Sequence, residues 1–298
     1  MDLAIAAFCL AFGAAVAFRL GECFSLRNPR LGQVTIAAAL LLAIWMSWTK
    51  TYSLLWAEYL PHGSVLLFAN TFLLLAIFAG GLFFGLDDIS IRRRQFFTCV
   101  FTLTATLGIG VVLLRPWIQP LHLADEGKWK DEVCLQTHEA SCAPAAAATL
   151  LGLHGVDANE REMAALCLSS KNGTYSLAAF RGIQVESQNA GLGTRALVCE
   201  PSLIDSVGID ARLPMLALVN YQDQLKFARG GSSKNVYGSR SQTRSRLPQS
   251  EDRHAVVLLK RLPQGQFLVA DPSVGKVIWA EDYFRNIWVG EGIYLVSK

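Results

Sequence analysis

Four polar residues after the long apolar part of the chain have the types and settings that thiol chemistry requires: Cys142, His254, Asp271 and Gln136. Cysteine attacks as a thiolate, and a helix N-terminus or a neighbouring imidazolium stabilises that form. Cys142 stands two residues before Pro144 in "SCAPAAAATLLGLHG", where the alanine run, the early proline and the closing Gly155 predict a helix beginning at the sulfur. His254 opens the strand "HAVVLLK", and Asp271 ends the following strand at "VADPSVG". Adjacent antiparallel strands can bring these two side chains together, the carboxylate holding the imidazole in the right tautomer. Gln136, six residues before Cys142, is placed to offer its side-chain amide beside the Cys142 backbone N–H to a tetrahedral oxyanion. Each residue also has a plain alternative: a structural or disulfide-bonded cysteine, a strand-edge histidine, and an aspartate that starts a turn before Pro272. The combination favours chemistry.

The elements that must position these groups follow from periodicity. "DANEREMAALCL" predicts a second helix, with Asn159 as N-cap, Glu160 and Glu162 at its positive end and Met163, Leu166 and Cys167 as the buried stripe. "KNGTYSLAAFRGI" predicts a turn and a third helix. From Ala196 onward the pattern shortens to strands: "RALVCE", "LPMLALVNY", "HAVVLLKRL", "QFLVADP", "KVIWA" and, after a short helix at "AEDYFRNIW", "GIYLVSK". Helices followed by strands indicate an α+β domain with an antiparallel sheet. Residues 228–253 are polar, basic and poor in apolar residues, and predict a mobile insertion between two strands.

The first part of the chain is of a different kind. Over all 298 residues 52% are hydrophobic and only 17% charged, against roughly 25% charged in ordinary soluble domains. The deficit lies before about Leu114, where apolar stretches near 3–20, 33–50, 63–86 and 95–115 predict about four transmembrane helices. The expected organisation is therefore a helical membrane anchor over 1–118, a linker over 119–132 and a soluble domain over 133–298. Arg19, Arg27 and Arg30 in the first loop, and Arg92, Arg93 and Arg94 in the third, place those loops in the cytoplasm. The second loop, with Lys50 among interfacial aromatics such as Trp56 and Tyr59, and everything after Arg115 then fall outside it. None of the expected spans carries an Asp, Glu, Lys or Arg in its interior, so the anchor shows no transport path. Gly80 and Gly81 suit close helix packing. A net charge of +3 gives no ground for a nucleic-acid partner. The chain contains no GxxxxGK stretch, no metal-finger cysteine spacing and no internal repeat, so no cofactor, no metal and no ATPase are expected in it.

"LQTHEASCAPAAAATLLGLHG", "RHAVVLLK" and "VADPSVGKVIWAEDYFRNIWVGEGIYLV" resemble the three blocks of the double-glycine leader peptidases, family thirty-nine of the cysteine peptidases. The resemblance covers about Val133 to Lys298. It implies a papain-like fold, a peptide or protein substrate, Cys142 as nucleophile, His254 as general base, Asp271 as its orienter and Gln136 as oxyanion donor, with Gly173 and Thr174 lining the cleft. The sequence departs from the family at Ser141 and Ala143, which flank the cysteine where an acidic residue and a glycine are usual. The family's exporters hold the peptidase in the cytoplasm beside an ATPase. Here the charge asymmetry puts it on the outer face of a bacterial inner membrane, tethered to the lipid bilayer by the anchor. The alternative is a peptidase-like module that binds a peptide or membrane partner without turnover. Outside the cytoplasm Cys134, Cys167 and Cys199 could form one disulfide, and a Cys134–Cys142 bridge would end catalysis. His138 and His154 are expected in a loop and at a helix C-terminus, and Asn172-Gly173-Thr174, although it matches a glycosylation acceptor, is expected as a turn.

Overall fold

The computed structural model describes residues 2–50, 53–68, 70–123, 127–221 and 253–297. Helices α1 (Asp2–Arg27) and α2 (Pro29–Lys50) are separated only by Asn28. Both are longer than the expected spans because nothing before Pro29 breaks a helix, and Pro29 takes the first helical position, where its missing N–H costs nothing. Arg19, Arg27 and Arg30 therefore lie within helices and not in an open loop. The chain continues through α3 (Leu55–Tyr59), α4 (Val65–Phe68), a 3₁₀ turn at Thr71–Leu73, α5 (Leu74–Phe84) and α6 (Ile91–Ile118). The stretch expected as one span over 63–86 holds α4, the 3₁₀ turn and α5. Asn70, 1% exposed, turns its amide onto the Leu66 carbonyl oxygen at 3.2 Å, a local side-chain bond of the kind that competes with helical continuity. Among the described residues, three helical stretches are long and apolar enough to cross a membrane, Leu3–Arg27, Pro29–Met46 and Val65–Phe84. α6 runs through the fourth expected stretch, with Pro116 near its end.

The chain forms two compact units, one of Met1–Ser53 with Gly63–Arg115 and one of Leu54–His62 with Pro116–Lys298. In the first, α1 and α5 approach backbone to backbone: a Cβ on Gly81 would meet the Phe18 carbonyl oxygen, and one on Gly21 the Phe78 carbonyl oxygen. Gly80 serves a different contact, its carbonyl accepting a 3.0 Å hydrogen bond from Thr98 Oγ1 of α6.

The second unit contains a six-stranded antiparallel sheet. Its strands are β3 (Leu192–Val198), β4 (Met215–Asn220), β5 (Arg253–Leu262), β6 (Gln266–Asp271), β7 (Gly275–Ala280) and β8 (Trp288–Ser297), in the order β3-β8-β4-β5-β6-β7. Helices α7 (Cys142–Gly152), α8 (Glu160–Leu166) and α9 (Ser176–Asn189) precede it, and α10 (Glu281–Ile287) joins β7 to β8. The α+β architecture with an antiparallel sheet is as expected. α7 ends three residues before Gly155, and Leu192 opens β3 four residues ahead of Ala196. His254 to Leu258 are buried in succession, as a strand covered on both faces requires. Val256, Leu258, Phe267 and Val269 share one apolar core with Phe284 and Ile287 of α10, while α7 lies against β5.

The expected linker 119–132 is partly structured. Lys128–Lys130 (β1) pairs with Val133–Leu135 (β2) through Asp131 and Glu132, whose φ values of 49° and 66° make a two-residue hairpin turn. Asp-Glu lacks the Asn-Gly or Asp-Gly chemistry that usually announces such a turn, so sequence alone offers no signal. Most of the insertion expected at 228–253 lies outside the described residues; Arg253 opens β5. Segment 54–62 belongs with the C-terminal unit through specific bonds. The Glu58 carboxylate accepts from the Val198 N–H at 3.1 Å, Leu54 N–H donates to Glu291 Oε1 at 3.1 Å, and Gln184 Nε2 donates to the Pro61 carbonyl at 2.7 Å.

Candidate active site

The β5–β6 register pairs Val257 with Ala270. One step along, Asp271 stands across from Val256, and His254 lies two residues further on the same side. That diagonal is within reach of an imidazole. His254 Nε2 sits 2.9 Å from Asp271 Oδ1, with His254 5% and Asp271 7% exposed. Asp271 also begins the β6–β7 turn: its Oδ1 accepts from Ser273 N–H at 2.8 Å, its carbonyl accepts from Val274 N–H at 3.2 Å, and Gly275 closes the turn at φ 101°. With Nε2 committed to the carboxylate, Nδ1 is the ring nitrogen left for sulfur, and the Cys142 side chain is hydrogen-bonded to His254. Cys142 is the first residue of α7 and keeps partial surface exposure.

The electrostatics separate this sulfur from the other buried ones. Burial pushes the Cys134 and Cys167 thiols each up to about 12. Cys142 is opposed by the same burial, yet its pKa lies below the ordinary cysteine value. The His254 hydrogen bond and charge outweigh desolvation, and the backbone N–H groups of Ala255 and Ala143 assist. On the partner side, burial lowers the His254 pKa, but Asp271 and Cys142 more than compensate and raise it to about 10. For Asp271 too, burial is overcome by His254 and Ser273, and its carboxyl is held below the usual range. The arrangement favours a thiolate–imidazolium pair backed by a carboxylate. All seven cysteines are free, so neither a Cys134–Cys142 bridge nor any pairing of Cys134, Cys167 and Cys199 is present.

Gln136 joins the site through the Asp271 turn. Its backbone N–H donates to the Pro272 carbonyl at 2.9 Å, and its Oε1 accepts from Ser273 Oγ at 3.2 Å. Its Nε2 donates to the His138 carbonyl at 3.2 Å, so the amide reaches an oxyanion only after turning away from that partner. Gly173, at φ 96°, and Thr174 lie in the turn between α8 and α9. Their partners there are Ser170 and Ser169, and among the described residues no hydrogen bond joins them to the other four. Asn172 and Gly173 form the expected turn. His138 lies in the loop before α7, where Nδ1 accepts from Ala140 N–H at 3.0 Å. His154 donates from Nδ1 to Leu150 O at the end of α7, 2.9 Å away.

Glu160 has a larger part than its place at a helix start suggests. It is 1% exposed, and its two oxygens take the Thr137 N–H at 2.8 Å and the Thr137 hydroxyl at 2.7 Å, anchoring the loop between Gln136 and Cys142. The signal available in sequence was an ordinary first-turn acid. Replacing Glu160 by alanine leaves the Thr137 N–H without its acceptor and is expected to cost roughly 1–3 kcal/mol. Thermal unfolding of the Glu160→Ala chain, compared with an exposed control such as Glu162→Ala, measures it; equal midpoints would contradict the anchoring role.

No family model matches the chain, and no curated protein matches it. Among solved structures, the chain is similar to the peptidase domain of Streptococcus ComA, a bi-functional ABC transporter involved in a quorum-sensing pathway, with 19% identity over 56% of this chain and 98% of that one and a TM-score of 0.40. It is also similar to a double-glycine motif protease from an AMS/PCAT transporter in complex with the leader peptide, with 16% identity, 60% and 99% coverage and a TM-score of 0.39. A third is the peptidase domain of Streptococcus mutans ComA, with 20% identity, 55% and 98% coverage and a TM-score of 0.34.

Proposed function

We propose that the chain is a membrane-anchored cysteine peptidase with a papain-like site, hydrolysing a peptide bond through Cys142, His254 and Asp271. The observation that carries this reading is the buried relay in which His254 binds Asp271 through Nε2 and Cys142 on its other side, leaving this sulfur alone among the buried ones with a lowered pKa. In the proposed sequence the Cys142 thiolate attacks the scissile carbonyl carbon, and the carbonyl π pair moves onto oxygen. That oxyanion is received by the Cys142 backbone N–H and by Gln136 Nε2 once it swings off the His138 carbonyl. Collapse breaks the C–N bond while the His254 imidazolium gives its proton to the departing amine. Water then attacks the thioester, losing its proton to neutral His254, and the second collapse restores the thiolate–imidazolium pair. Asp271 holds the ring orientation throughout. Gly173 and Thr174 are proposed only as cleft-side residues, and a precursor whose leader ends in a double glycine, with further residues beyond it, is the substrate class to try first.

The anchor is proposed to cross a bacterial inner membrane four times. Segment 54–62 folds with the unit that resumes at Pro116, so the two lie on the same side of any bilayer. Val65–Phe84 supplies one crossing between them, and α6 must then supply another. The arginines at the joint of α1 and α2 and at the start of α6 favour the cytoplasm, placing the peptidase unit outside. Tyr59 is 79% exposed. A Tyr59→Cys variant in intact cells is expected to react with a membrane-impermeant maleimide at residue 59, mapped by mass spectrometry; labelling only after permeabilisation would move the domain to the cytoplasm. The chemistry itself is tested by iodoacetamide. Cys142 should alkylate rapidly well below the pH at which an ordinary thiol ionises, and a slow, ordinary profile would favour the binding module.

A further inference from the structure

A third side chain meets the imidazole of His254 besides the carboxylate and the sulfur. Tyr221 follows β4, whose Val219 and Asn220 pair with His254 and Arg253, so its ring arrives beside the first residues of β5. The two ring centroids are 5.6 Å apart and the planes are tilted by 31°, so the rings pack against each other. His254 thus has a carboxylate at one ring nitrogen, sulfur at the other and an aromatic face along its plane. Among the described residues it is faced by Asp271 from β6, Cys142 from α7 and Tyr221 from the end of β4, with Arg253 its exposed neighbour on β5.

We infer that Tyr221 is a positioning residue for the thiol chemistry, its ring stabilising the imidazolium form of His254 and fixing the rotation that aims Nδ1 at Cys142. This rests on the reading of the site as a working Cys–His–Asp relay. The physical ground is twofold. An aromatic face carries negative charge density and attracts a cation lying over it, more strongly where water is excluded. And an imidazole hydrogen-bonded at both nitrogens can still swing about the line between them, a motion that a ring packed against it blocks. The hydroxyl plays no part in either effect, so the inference concerns the ring alone.

The test compares wild type, Tyr221→Phe, Tyr221→Leu and Tyr221→Met, full chain in detergent, by the pH dependence of Cys142 alkylation and by turnover of a cleaved peptide. Removing the ring should move the alkylation midpoint up by roughly half to one pH unit and lower kcat about three- to tenfold with KM little changed. Phenylalanine should restore the wild-type midpoint and rate. A leucine or methionine variant that folds and keeps the wild-type profile overturns the inference, as does a phenylalanine variant with the same loss as leucine. A measurement that needs no variant guards against misfolding: in the wild-type chain the His254 ring protons should carry an upfield ring-current shift, and its absence overturns the ring contact. The underlying reading fails separately, if wild-type Cys142 itself alkylates as an ordinary thiol.

Discussion

Cys142→Ala is expected to reduce peptide cleavage by at least about a thousandfold while leaving the fold intact. What remains in such a variant is binding and oxyanion stabilisation without a nucleophile, and loss of one member of such a unit costs nearly as much as loss of all. Alanine suits the position sterically, since it extends a run in which Ala143 and Ala145 to Ala148 are already buried in the same helix. The unfolding midpoint should therefore change little, which separates loss of chemistry from loss of structure. The measurement is twofold: turnover by purified chain of precursor peptides in which a leader ending in Gly-Gly is followed by further residues, and mass-spectrometric comparison of cell-envelope peptides from cells carrying wild type or Cys142→Ala. Peptides that accumulate uncleaved with the variant would identify the natural substrate. Full cleavage by the alanine variant would end the peptidase reading.

The second large effect concerns His254. In the wild type the Cys142 thiolate and His254 imidazolium support each other, so activity should follow a bell. Its acidic limb lies where the pair forms its thiolate, below the ordinary cysteine range. Its basic limb lies near the His254 value of about 10, above which the ring loses the proton that the leaving amine needs. Both limbs belong to the coupled pair. His254→Ala removes the hydrogen bond and the charge but leaves the burial. The sulfur should then behave like Cys134 and Cys167, which sit near about 12, and its alkylation midpoint should climb by more than about two units. Turnover should fall by about a thousandfold or more, with neither general base nor acid. If the variant kept a low-pH alkylation profile, the helix start and the Ala143 and Ala255 N–H groups alone would be ionising the sulfur. The relay would then lose its role.

Much of this was legible before any coordinates. Cys142 at a helix start follows from an alanine run with proline in its first turn. The pairing of His254 with Asp271 follows from two Val-rich strands joined by a short turn, because antiparallel hairpin geometry leaves few registers. The N-cap role of Asn159 was equally readable, and its Oδ1 takes the Glu162 N–H at 2.9 Å. These are local patterns, set by backbone propensity and near neighbours in sequence.

Other features needed the folded chain. The value of Glu160 arises from Thr137, 23 residues away, and the aromatic ring that packs on His254 comes from the end of β4. The hairpin at Asp131 and Glu132 forms against the turn preference of its own residues, and a 3₁₀ turn at Thr71–Leu73 sits within the long apolar stretch after Gly63.

Composition and periodicity thus determined the class of each half, the helix that carries the sulfur and the strands that carry its partners. Tertiary structure decided which of the cysteines in the C-terminal unit has its pKa lowered and which have theirs raised, because a pKa is set by what surrounds the group and not by its neighbours in the chain. It also decided that residues 54–62 belong with the C-terminal unit. Hydrogen bonds from Glu58 to Val198 and from Leu54 to Glu291 join residues far apart in sequence, and no local pattern encodes a contact of that range.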